Sequence, residues 1–158
     1  MKFEKWKEVK NFDFQDTLSL LRYMNKNNYI CSPWIKNIIE KYNYSYRSYV
    51  KPISLYRVYL KDLEFYDATK LSDIYNIAQK KGFKLVSPEI AFLTRLIYTD
   101  QPTGEWLRFA TPMEAMIDDD GVPHLPKIGK ALNSFFLETY WSYPDAIFHP
   151  HNEFVFQK

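Results

Sequence analysis

The chain has 158 residues and a mass of 19.0 kDa, which fits one domain of ordinary size and leaves little room for a second. Hydrophobic residues make up 46% and aromatic residues 18%, which excludes a disordered chain, and no apolar run approaches the roughly 20 residues that span a bilayer. The single cysteine, Cys31, excludes an internal disulfide and a cysteine-rich zinc site. The charged start lacks the apolar segment of a secretory signal, so we expect a cytoplasmic protein without a membrane segment.

The net charge of +2 conceals a difference between the two parts of the chain. Residues 1–86 carry 16 Lys and Arg against 9 Asp and Glu, a net charge of +7, and residues 87–158 carry 5 against 10, a net charge of −5. Because opposite charges attract, we expect the two parts either to pack together or to present surfaces of opposite sign.

Two helices are predicted near the start of the chain. Apolar residues at helical spacing predict a helix over residues 17–26, with Asp13 available as its N-cap. Ser32 and Pro33 combine a hydroxyl cap with a proline at the first helical position and predict a second helix as far as about Lys41. A helix-turn-helix DNA reader has the same pattern, although simple helical hairpins are far commoner.

The middle of the chain shows one strand followed by one helix. Ile53–Leu60 alternates β-branched and aromatic residues without a glycine, which predicts a strand. The next apolar stripe predicts a helix over Lys70–Lys81 that Asp67 or Thr69 caps and Gly82 ends.

A second Ser-Pro pair, Ser87 and Pro88, predicts a short helix over Glu89–Leu96. After a polar turn, Trp106–Ala110 alternates as a strand with at least one well-buried face. Apolar runs flank this turn on both sides, so we expect the core to be built around it.

The last third of the chain is predicted to be mostly strand. Asp118–Gly121 predicts a hairpin with a type I′ turn, because Asp-Gly supplies the positive φ values that this turn needs. Pro123 and Pro126 predict that the return strand lies at a sheet edge or forms an irregular arm. Leu132–Trp141 is compatible with helix or strand, and Glu153–Gln157 is strand-like.

Together these elements predict an α+β fold in a single domain over residues 1–158. Residues 1–50 form a helical N-terminal part, the pair of helices described first. Residues 51–158 form an α+β part, a mostly antiparallel sheet with one or two helices packed on one face.

The α+β part resembles a family of small uncharacterised bacterial proteins over roughly residues 53–158. The resemblance rests on Val86–Ile90, on Arg95–Leu107 with its Asp-Gln-Pro-Thr-Gly-Glu-Trp-Leu pattern, and on the closing Tyr140–Asp145 and Pro150–Phe156. The family has no assigned activity. The resemblance therefore implies one folded unit and carries over no functional residue.

The strongest indication of a partner lies between Arg22 and Lys61. Eight basic residues face a single acid there, Glu40, and eight tyrosines are interleaved with them. Single-stranded nucleic acid is bound by this mixture, because cations contact phosphates and aromatic rings stack on bases. An acidic protein surface would satisfy the same charges, and half-buried tyrosines beside solvated lysines would have the same composition. The predicted binding residues are Lys36, Lys41, Tyr42, Tyr44, Tyr46, Arg47, Tyr49, Lys51 and Arg57.

Candidate catalytic residues lie in the acidic part of the chain. A pair of carboxylates near an arginine can run acid–base chemistry on a phosphodiester or a glycoside, although ion pairs at the rim of a sheet use the same residue types. The candidates are Glu89, Arg95, Glu105, His124 and His149.

A metal or nucleotide site has less support. His149 and His151 can present two imidazoles on one side of an extended segment, and Asp145 or an aspartate of 118–120 would complete a ligand set. The turn itself favours those aspartates, so we expect no metal site. The glycines stand alone, which excludes a Walker loop and a dinucleotide fingerprint, and we expect no cofactor.

These patterns favour a cytoplasmic binding protein over an enzyme. Its partner would be nucleic acid or an acidic protein, engaged through the basic, tyrosine-rich face. The alternative is a small metal-independent nuclease or other hydrolase that uses the catalytic candidates. With either function, exposed aromatic residues over Phe135–Tyr143 predict a homodimer.

Overall fold

A computed structural model describes residues 2–10, 13–46 and 51–158. The described residues form four α-helices, one 3₁₀ helix and nine β-strands. The helices are α1 (Thr17–Lys26), α2 (Pro33–Tyr42), α3 (Leu71–Lys80), α4 (Pro88–Ile97) and the 3₁₀ helix Leu60–Leu63. The strands are β1 (Lys7–Val9), β2 (Ile30–Cys31), β3 (Ile53–Tyr59), β4 (Thr69–Lys70), β5 (Trp106–Phe109), β6 (His124–Ala131), β7 (Ser134–Trp141), β8 (Ile147–Phe148) and β9 (Glu153–Gln157). Within these ranges no helix is both long enough and apolar enough to cross a membrane.

The two predicted N-terminal helices are present, and a side chain caps each of them. Asp16, not the predicted Asp13, caps α1, because its carboxylate accepts the backbone N–H of Ser19 at 2.9 Å. The hydroxyl of Ser32 accepts the N–H of Ile35 at 3.2 Å at the start of α2, as predicted. Each cap satisfies a backbone donor that the first helical turn leaves unpaired.

α3 and α4 also lie where the sequence predicted helices, but neither begins with a side-chain cap. Lys70 stands at the N-cap position of α3, so the predicted caps Asp67 and Thr69 are wrong. The Thr69 hydroxyl instead donates to the backbone carbonyl of Asp67 at 2.9 Å. Gly82 follows α3 with a φ of 91°, the left-handed conformation that glycine adopts at low cost after a helix.

Seven strands form one mixed sheet in the order β1-β3-β9-β5-β6-β7-β2. The β9-β5 and β7-β2 pairs are parallel and the other neighbours are antiparallel, which confirms the predicted α+β class. β4 and β8 form a separate small sheet. The sequence indicated neither β1 nor β2, and through them the N-terminal part joins the same sheet as the rest of the chain.

Helices lie against both faces of the sheet, whereas one covered face was predicted. Val155 in β9 belongs to the core that α1, α2 and α4 cover, and Phe154 and Phe156 belong to the core that α3 covers. β9 is therefore buried on both sides. A continuous apolar run without polar alternation is typical of such a central strand.

The hairpin between β6 and β7 turns through two residues that the sequence did not single out. Leu132 and Asn133 both have positive φ, 51° and 60°, which defines a type I′ turn. Between Asp118 and Val122, where a type I′ turn was predicted, only Gly121 has a positive φ, and the Asp118 N–H donates to the Val122 carbonyl at 3.0 Å. The predicted chain reversal is present, since Ile117 and Pro123 form an antiparallel bridge, but the predicted type I′ turn is wrong because a longer loop makes the reversal.

β6 is an interior strand, although Pro123 and Pro126 predicted an edge or an irregular arm. Its pairing with β5 runs from Lys127 to Gly129, so Pro126 lies beyond the end of that ladder. On its other side Pro126 faces Thr139 of β7. A proline is tolerated there because β7 takes no backbone N–H from this position.

Candidate functional site

The predicted basic residues of α2 and its surroundings do not all remain available to a partner. Arg47 and Tyr49 lie outside the described residues. Lys36 and Lys51 are exposed. Lys41 is exposed as well, but its ammonium group donates to two backbone carbonyls of residues 117–118, at 3.1 and 3.3 Å. Lys41 therefore ties α2 to the loop that precedes β6.

Arg57 is neutralised inside the protein. Its guanidinium makes two hydrogen bonds to Glu153, at 2.7 and 2.8 Å, and one to Glu105 at 3.1 Å. The Trp6 ring lies 5.4 Å from the same guanidinium. Two carboxylates around one guanidinium leave no net positive charge, so Arg57 stabilises the junction of β3, β9 and the turn before β5.

The predicted tyrosines serve the packing of the segment after α2. Tyr46 is buried, and its hydroxyl donates to the backbone carbonyl of Glu89 at 2.7 Å. Tyr42 and Tyr44 stack with ring centroids 5.5 Å apart, and the Tyr44 hydroxyl donates to the carbonyl of Ala115. Binding of nucleic acid or an acidic protein through the predicted set stays a prediction.

Arg95 joins the turn before β5 to β6 through hydrogen bonds. It is fully buried, and its guanidinium donates to the Gln101 side chain and, at 3.0 Å, to the carbonyl of Gly129. Gln101 donates in turn to the backbone carbonyl of Glu105 at 3.2 Å. Burial lowers the pKa of Arg95 to about 10, so the side chain stays charged at neutral pH and holds the turn between α4 and β5.

The other predicted catalytic and metal-binding residues do not converge. Glu89 is buried in the first turn of α4, whereas Glu105 belongs to the Arg57 ion-pair cluster. His149 and His151 are exposed and stack on each other with ring centroids 5.9 Å apart, and Asp145 is exposed. In the part of the chain that the structure describes, no three His, Cys, Asp or Glu side chains are grouped to hold a metal ion.

His124 lines a cavity of about 340 Å³ at the outer edge of β7. Trp34 of α2 forms one wall, Asp118 and Asp120 contribute from the loop before β6, and residues 138–141 of β7 form the opposite wall. We call this cavity the edge pocket. It brings together three segments that lie far apart in the sequence.

The edge of β7 has no strand beside it along the pocket. β2 ends after pairing with Leu137, whose carbonyl accepts the N–H of Ser32 at 3.1 Å. Because backbone groups alternate along an antiparallel strand, the N–H and C=O of Thr139 and Trp141 point outward in the same direction as those of Leu137. Among the described residues none pairs with these outward groups. The wall of the edge pocket is thus a short free strand edge.

Two exposed tryptophans flank this edge. Trp34 is 49% exposed and Trp141 is 59% exposed, which is unusual for the most apolar large side chains of a folded chain. The Trp34 ring stacks on His124 with centroids 5.6 Å apart and closes the inner side of the pocket. Large aromatic rings at a concave site are typical of binding surfaces.

A chain of hydrogen bonds fixes the imidazole of His124 in the pocket wall. Its Nε2 lies 2.9 Å from Oδ2 of Asp118, and its Nδ1 lies 3.0 Å from Oγ1 of Thr139. The bond from His124, together with the N–H groups of Val122 and Asp120, holds the pKa of Asp118 below its ordinary value. An ionised Asp118 can only accept, so Nε2 is the donor of that bond, and Nδ1 pairs with the Thr139 hydroxyl.

The pocket is lined by carboxylates without a compensating cation. Asp118 and Asp120 line it, and an adjoining cavity of about 270 Å³ adds Asp119, whereas Glu138 borders it from the face of β7 that is opposite Lys127. Neither lining, among the residues that the structure describes, includes a lysine or an arginine. Burial raises the pKa of Glu138. The edge pocket is therefore an acidic, aromatic site, opposite in sign to the predicted basic face.

Trp34, Thr139 and Trp141 were not among the predicted binding or catalytic residues. Trp34 falls on the apolar stripe of α2, and Thr139 and Trp141 lie in a segment that was compatible with helix or strand, where aromatic residues were expected only to form a homodimer. Read as a strand, that segment alternates Leu137, Thr139 and Trp141 on one face, which is the signal that could have indicated them. The short β2, which leaves the edge open, has no such signal.

No protein-family model, curated protein or solved structure matches this chain. The predicted resemblance to a bacterial family accordingly stays a prediction. The functional conclusion depends on the geometry of the edge pocket.

Proposed function

We propose that the protein binds an extended segment of a partner protein, which adds as a strand to the free edge of β7. A lysine or arginine side chain of that segment enters the edge pocket. The observation that carries this proposal is the free edge at Thr139 and Trp141 lying beside an acid-lined cavity between two exposed tryptophans.

Backbone geometry supports addition of a strand. The outward N–H and C=O groups of Thr139 and Trp141 are the donors and acceptors that a neighbouring strand pairs with. Native proteins protect such edges with lysines, prolines, bulges or a covering element. Residues 138–141 contain neither lysine nor proline and pair regularly with β6, and no element within the described ranges covers their outer side. This edge keeps the ability to pair.

The lining of the pocket supports a positively charged side chain. An ammonium or guanidinium group is attracted to the faces of tryptophan rings, and the attraction grows when the ring is partly desolvated. Trp34 and Trp141 supply the rings, and Asp118 and Asp120 supply carboxylates on the same cavity. An acidic segment would meet repulsion from these groups and has no cation in the lining to pair with.

The direct test is isothermal titration with short synthetic peptides that alternate threonine with arginine. We expect binding to this peptide and binding at least about tenfold weaker to the matched peptide with glutamate in place of arginine. Methylation of alternate backbone nitrogens of the arginine peptide removes the donors of the added strand and is expected to abolish binding. Equal affinity for all three peptides would exclude the proposal.

Variants of the protein locate the site. Trp141→Ala removes a mostly exposed ring. It is expected to weaken binding of the arginine peptide by about tenfold without changing the midpoint of urea unfolding. Tyr66→Ala is the matched control, because Tyr66 is 74% exposed and lies outside the edge pocket. If both substitutions change the affinity equally, the peptide is bound elsewhere and the proposal fails.

A second candidate function is metal-independent hydrolysis, which one observation favours. Thr139, His124 and Asp118 form a continuous hydroxyl, imidazole and carboxylate chain in the pocket wall. In this reading Oγ1 of Thr139 attacks an ester or phosphodiester, and Nδ1 of His124 takes its proton and gives it to the departing alcohol. A water, deprotonated by the same imidazole, then cleaves the ester formed on Thr139 and restores its hydroxyl, while Asp118 orients the ring.

Thr139→Val separates the two functions, because valine keeps the shape and removes the nucleophile. A hydrolase would lose turnover of p-nitrophenyl acetate or labelled RNA in the presence of a chelator. A binding protein would show no turnover before the substitution and would keep its affinity for the arginine peptide after it, since backbone groups of Thr139 make the strand pairing.

A further inference from the structure

A second surface of the sheet carries two cations at directly opposite positions on neighbouring strands. Arg108 of β5 and Lys127 of β6 face each other in register, on the side of the sheet away from α1, α2 and α4. We call the surrounding area the open sheet face. It is formed by Trp106, Arg108, Lys127, Gly129, Phe136, Glu138 and Tyr140. Like charges directly opposite on neighbouring strands repel each other, so this arrangement costs stability.

In the described part of the chain both cations contact aromatic rings, but no carboxylate pairs with either of them. Arg108 and Lys127 form no hydrogen bond or ion pair with any residue in the described ranges, and Nε of Arg108 is buried without a partner. Burial lowers the pKa of Arg108, and burial followed by the charge of Arg108 lowers the pKa of Lys127. Glu138 stands opposite Lys127 on β7 and its charge partly offsets that of Lys127, although the two groups are not within ion-pair distance. An anion between the two cations would relieve both the repulsion and the lost hydration.

Aromatic rings surround the cation pair. The Lys127 ammonium lies 4.8 Å from the Trp106 ring, and the Arg108 guanidinium lies 5.6 Å from the Tyr140 ring. Trp106 also contacts Phe136, with centroids 5.9 Å apart. These rings extend over three neighbouring strands, so one surface offers both positive charge and flat apolar area.

The open sheet face is accessible because no helix in the described ranges packs on it. α2 and α4 contact β6 and β7 from the opposite face, where Ile128 and Leu137 point. The core beneath α3 includes Leu125 of β6 and Phe148, and Tyr140 packs against it at the border of the open sheet face, with its ring centroid 5.0 Å from that of Phe148. The side chains of this face are half-buried by one another and not by a covering layer.

We propose that the open sheet face binds single-stranded nucleic acid, with a phosphate between Arg108 and Lys127 and bases stacked on Trp106, Phe136 and Tyr140. Glu138 and Tyr140 border both this site and the edge pocket, but Arg108, Lys127 and Trp106 lie outside the pocket, and the proposal does not depend on the function proposed for it. A phosphodiester satisfies two adjacent cations, and planar bases stack on aromatic side chains whatever their sequence. Duplex nucleic acid conceals the faces of its bases, and an acidic polypeptide offers carboxylates without the planar groups that the rings would stack on.

Fluorescence anisotropy with labelled oligo(dT) and oligo(U) tests the proposal. We expect the unmodified protein to bind either strand, to bind the matched duplex at least about tenfold more weakly, and to show no competition from poly-glutamate. Equal binding to the duplex, or displacement by poly-glutamate, would show a general anion surface or an acidic-protein site and would overturn the assignment.

Variants distinguish loss of the site from loss of the fold. Lys127→Gln and Arg108→Gln are each expected to weaken oligonucleotide binding by about tenfold. Each is also expected to reduce, by about one, the slope of the logarithm of the binding constant against the logarithm of the salt concentration. Because they remove cross-strand repulsion, neither is expected to lower the urea midpoint. Lys130→Gln is the control, since Lys130 lies on the same strand but its ammonium sits over Phe135 on the opposite face. Unchanged affinity in both test variants, or an equal loss in Lys130→Gln, would refute the proposal.

Discussion

The imidazole Nε2 of His124 lies 2.9 Å from the carboxylate Oδ2 of Asp118, and both side chains are buried. This hydrogen bond and the backbone N–H groups of Val122 and Asp120 lower the pKa of Asp118 below its usual value of 3.8. A carboxyl group whose pKa is lowered by folding stabilises the protein above its unfolded pKa. That contribution is lost as the pH falls through the lower, folded pKa.

The first prediction follows from this loss of stability at low pH. We expect the free energy of unfolding to decrease as the pH falls from about 5 to about 2, and Asp118→Asn to reduce this dependence because asparagine does not titrate there. Urea unfolding at a series of pH values measures it. Asp16, whose pKa is lowered by its hydrogen bonds to Ser19, will keep part of the dependence in the variant. Identical pH profiles for the two proteins would show that Asp118 gains nothing from His124.

The two Ser-Pro helix starts make a matched pair for the second prediction. The Ser32 hydroxyl accepts the N–H of Ile35 at 3.2 Å, whereas the Ser87 hydroxyl makes no cap hydrogen bond in α4. We expect Ser32→Ala to lower the free energy of unfolding by about 1 kcal/mol, and Ser87→Ala to lower it by less than about 0.5 kcal/mol. Equilibrium urea denaturation of both variants decides it, and equal losses would mean that the serine side chain at Ser32 does not act as a cap.

This pair also shows what local sequence can predict. The Ser-Pro pattern located the starts of α2 and α4, because the fixed φ of proline favours the first helical turn wherever it occurs. It did not distinguish the two serines, since the cap hydrogen bond depends on a side-chain rotamer that neighbouring elements select. Apolar spacing located α1 and α3 equally well, but their caps were predicted at Asp13, Asp67 or Thr69, and the structure has Asp16 and Lys70.

The candidate sites were less predictable because they are built from pairings between distant strands. Arg108 and Lys127 become neighbours through strand register, and Trp34 reaches His124 only when α2 crosses the end of β7. The density of lysine and tyrosine between Arg22 and Lys61 predicted a basic face. The number of basic residues in this segment could not show that Glu105 and Glu153, from the acidic half of the chain, neutralise Arg57.

The third prediction concerns Gly129, where the Trp106 ring leaves no room for a side chain. The backbone conformation of Gly129 does not itself require glycine. A Cβ at this position would lie 2.3 Å from the Trp106 ring. We expect Gly129→Ala to lower the free energy of unfolding by about 1 to 3 kcal/mol, because the ring must leave its place on β6. In a Trp106→Ala background the same substitution is expected to cost much less, so the two effects are not additive. A thermal or urea denaturation cycle of the four proteins measures this coupling, and strict additivity would contradict the contact.

The fourth prediction concerns the turn between β6 and β7. Leu132 has a φ of 51° and is 91% exposed, so its side chain gains little from packing while its backbone occupies a region that costs ordinary residues roughly 1 kcal/mol. Asparagine tolerates this conformation, and we expect Leu132→Asn to raise the free energy of unfolding by up to about 1 kcal/mol. Leu132→Ala removes the same exposed side chain without easing the backbone, and it is expected to leave stability nearly unchanged. Urea unfolding of the two variants separates these effects. A similar gain in both would assign the cost to the exposed leucine side chain and not to its φ.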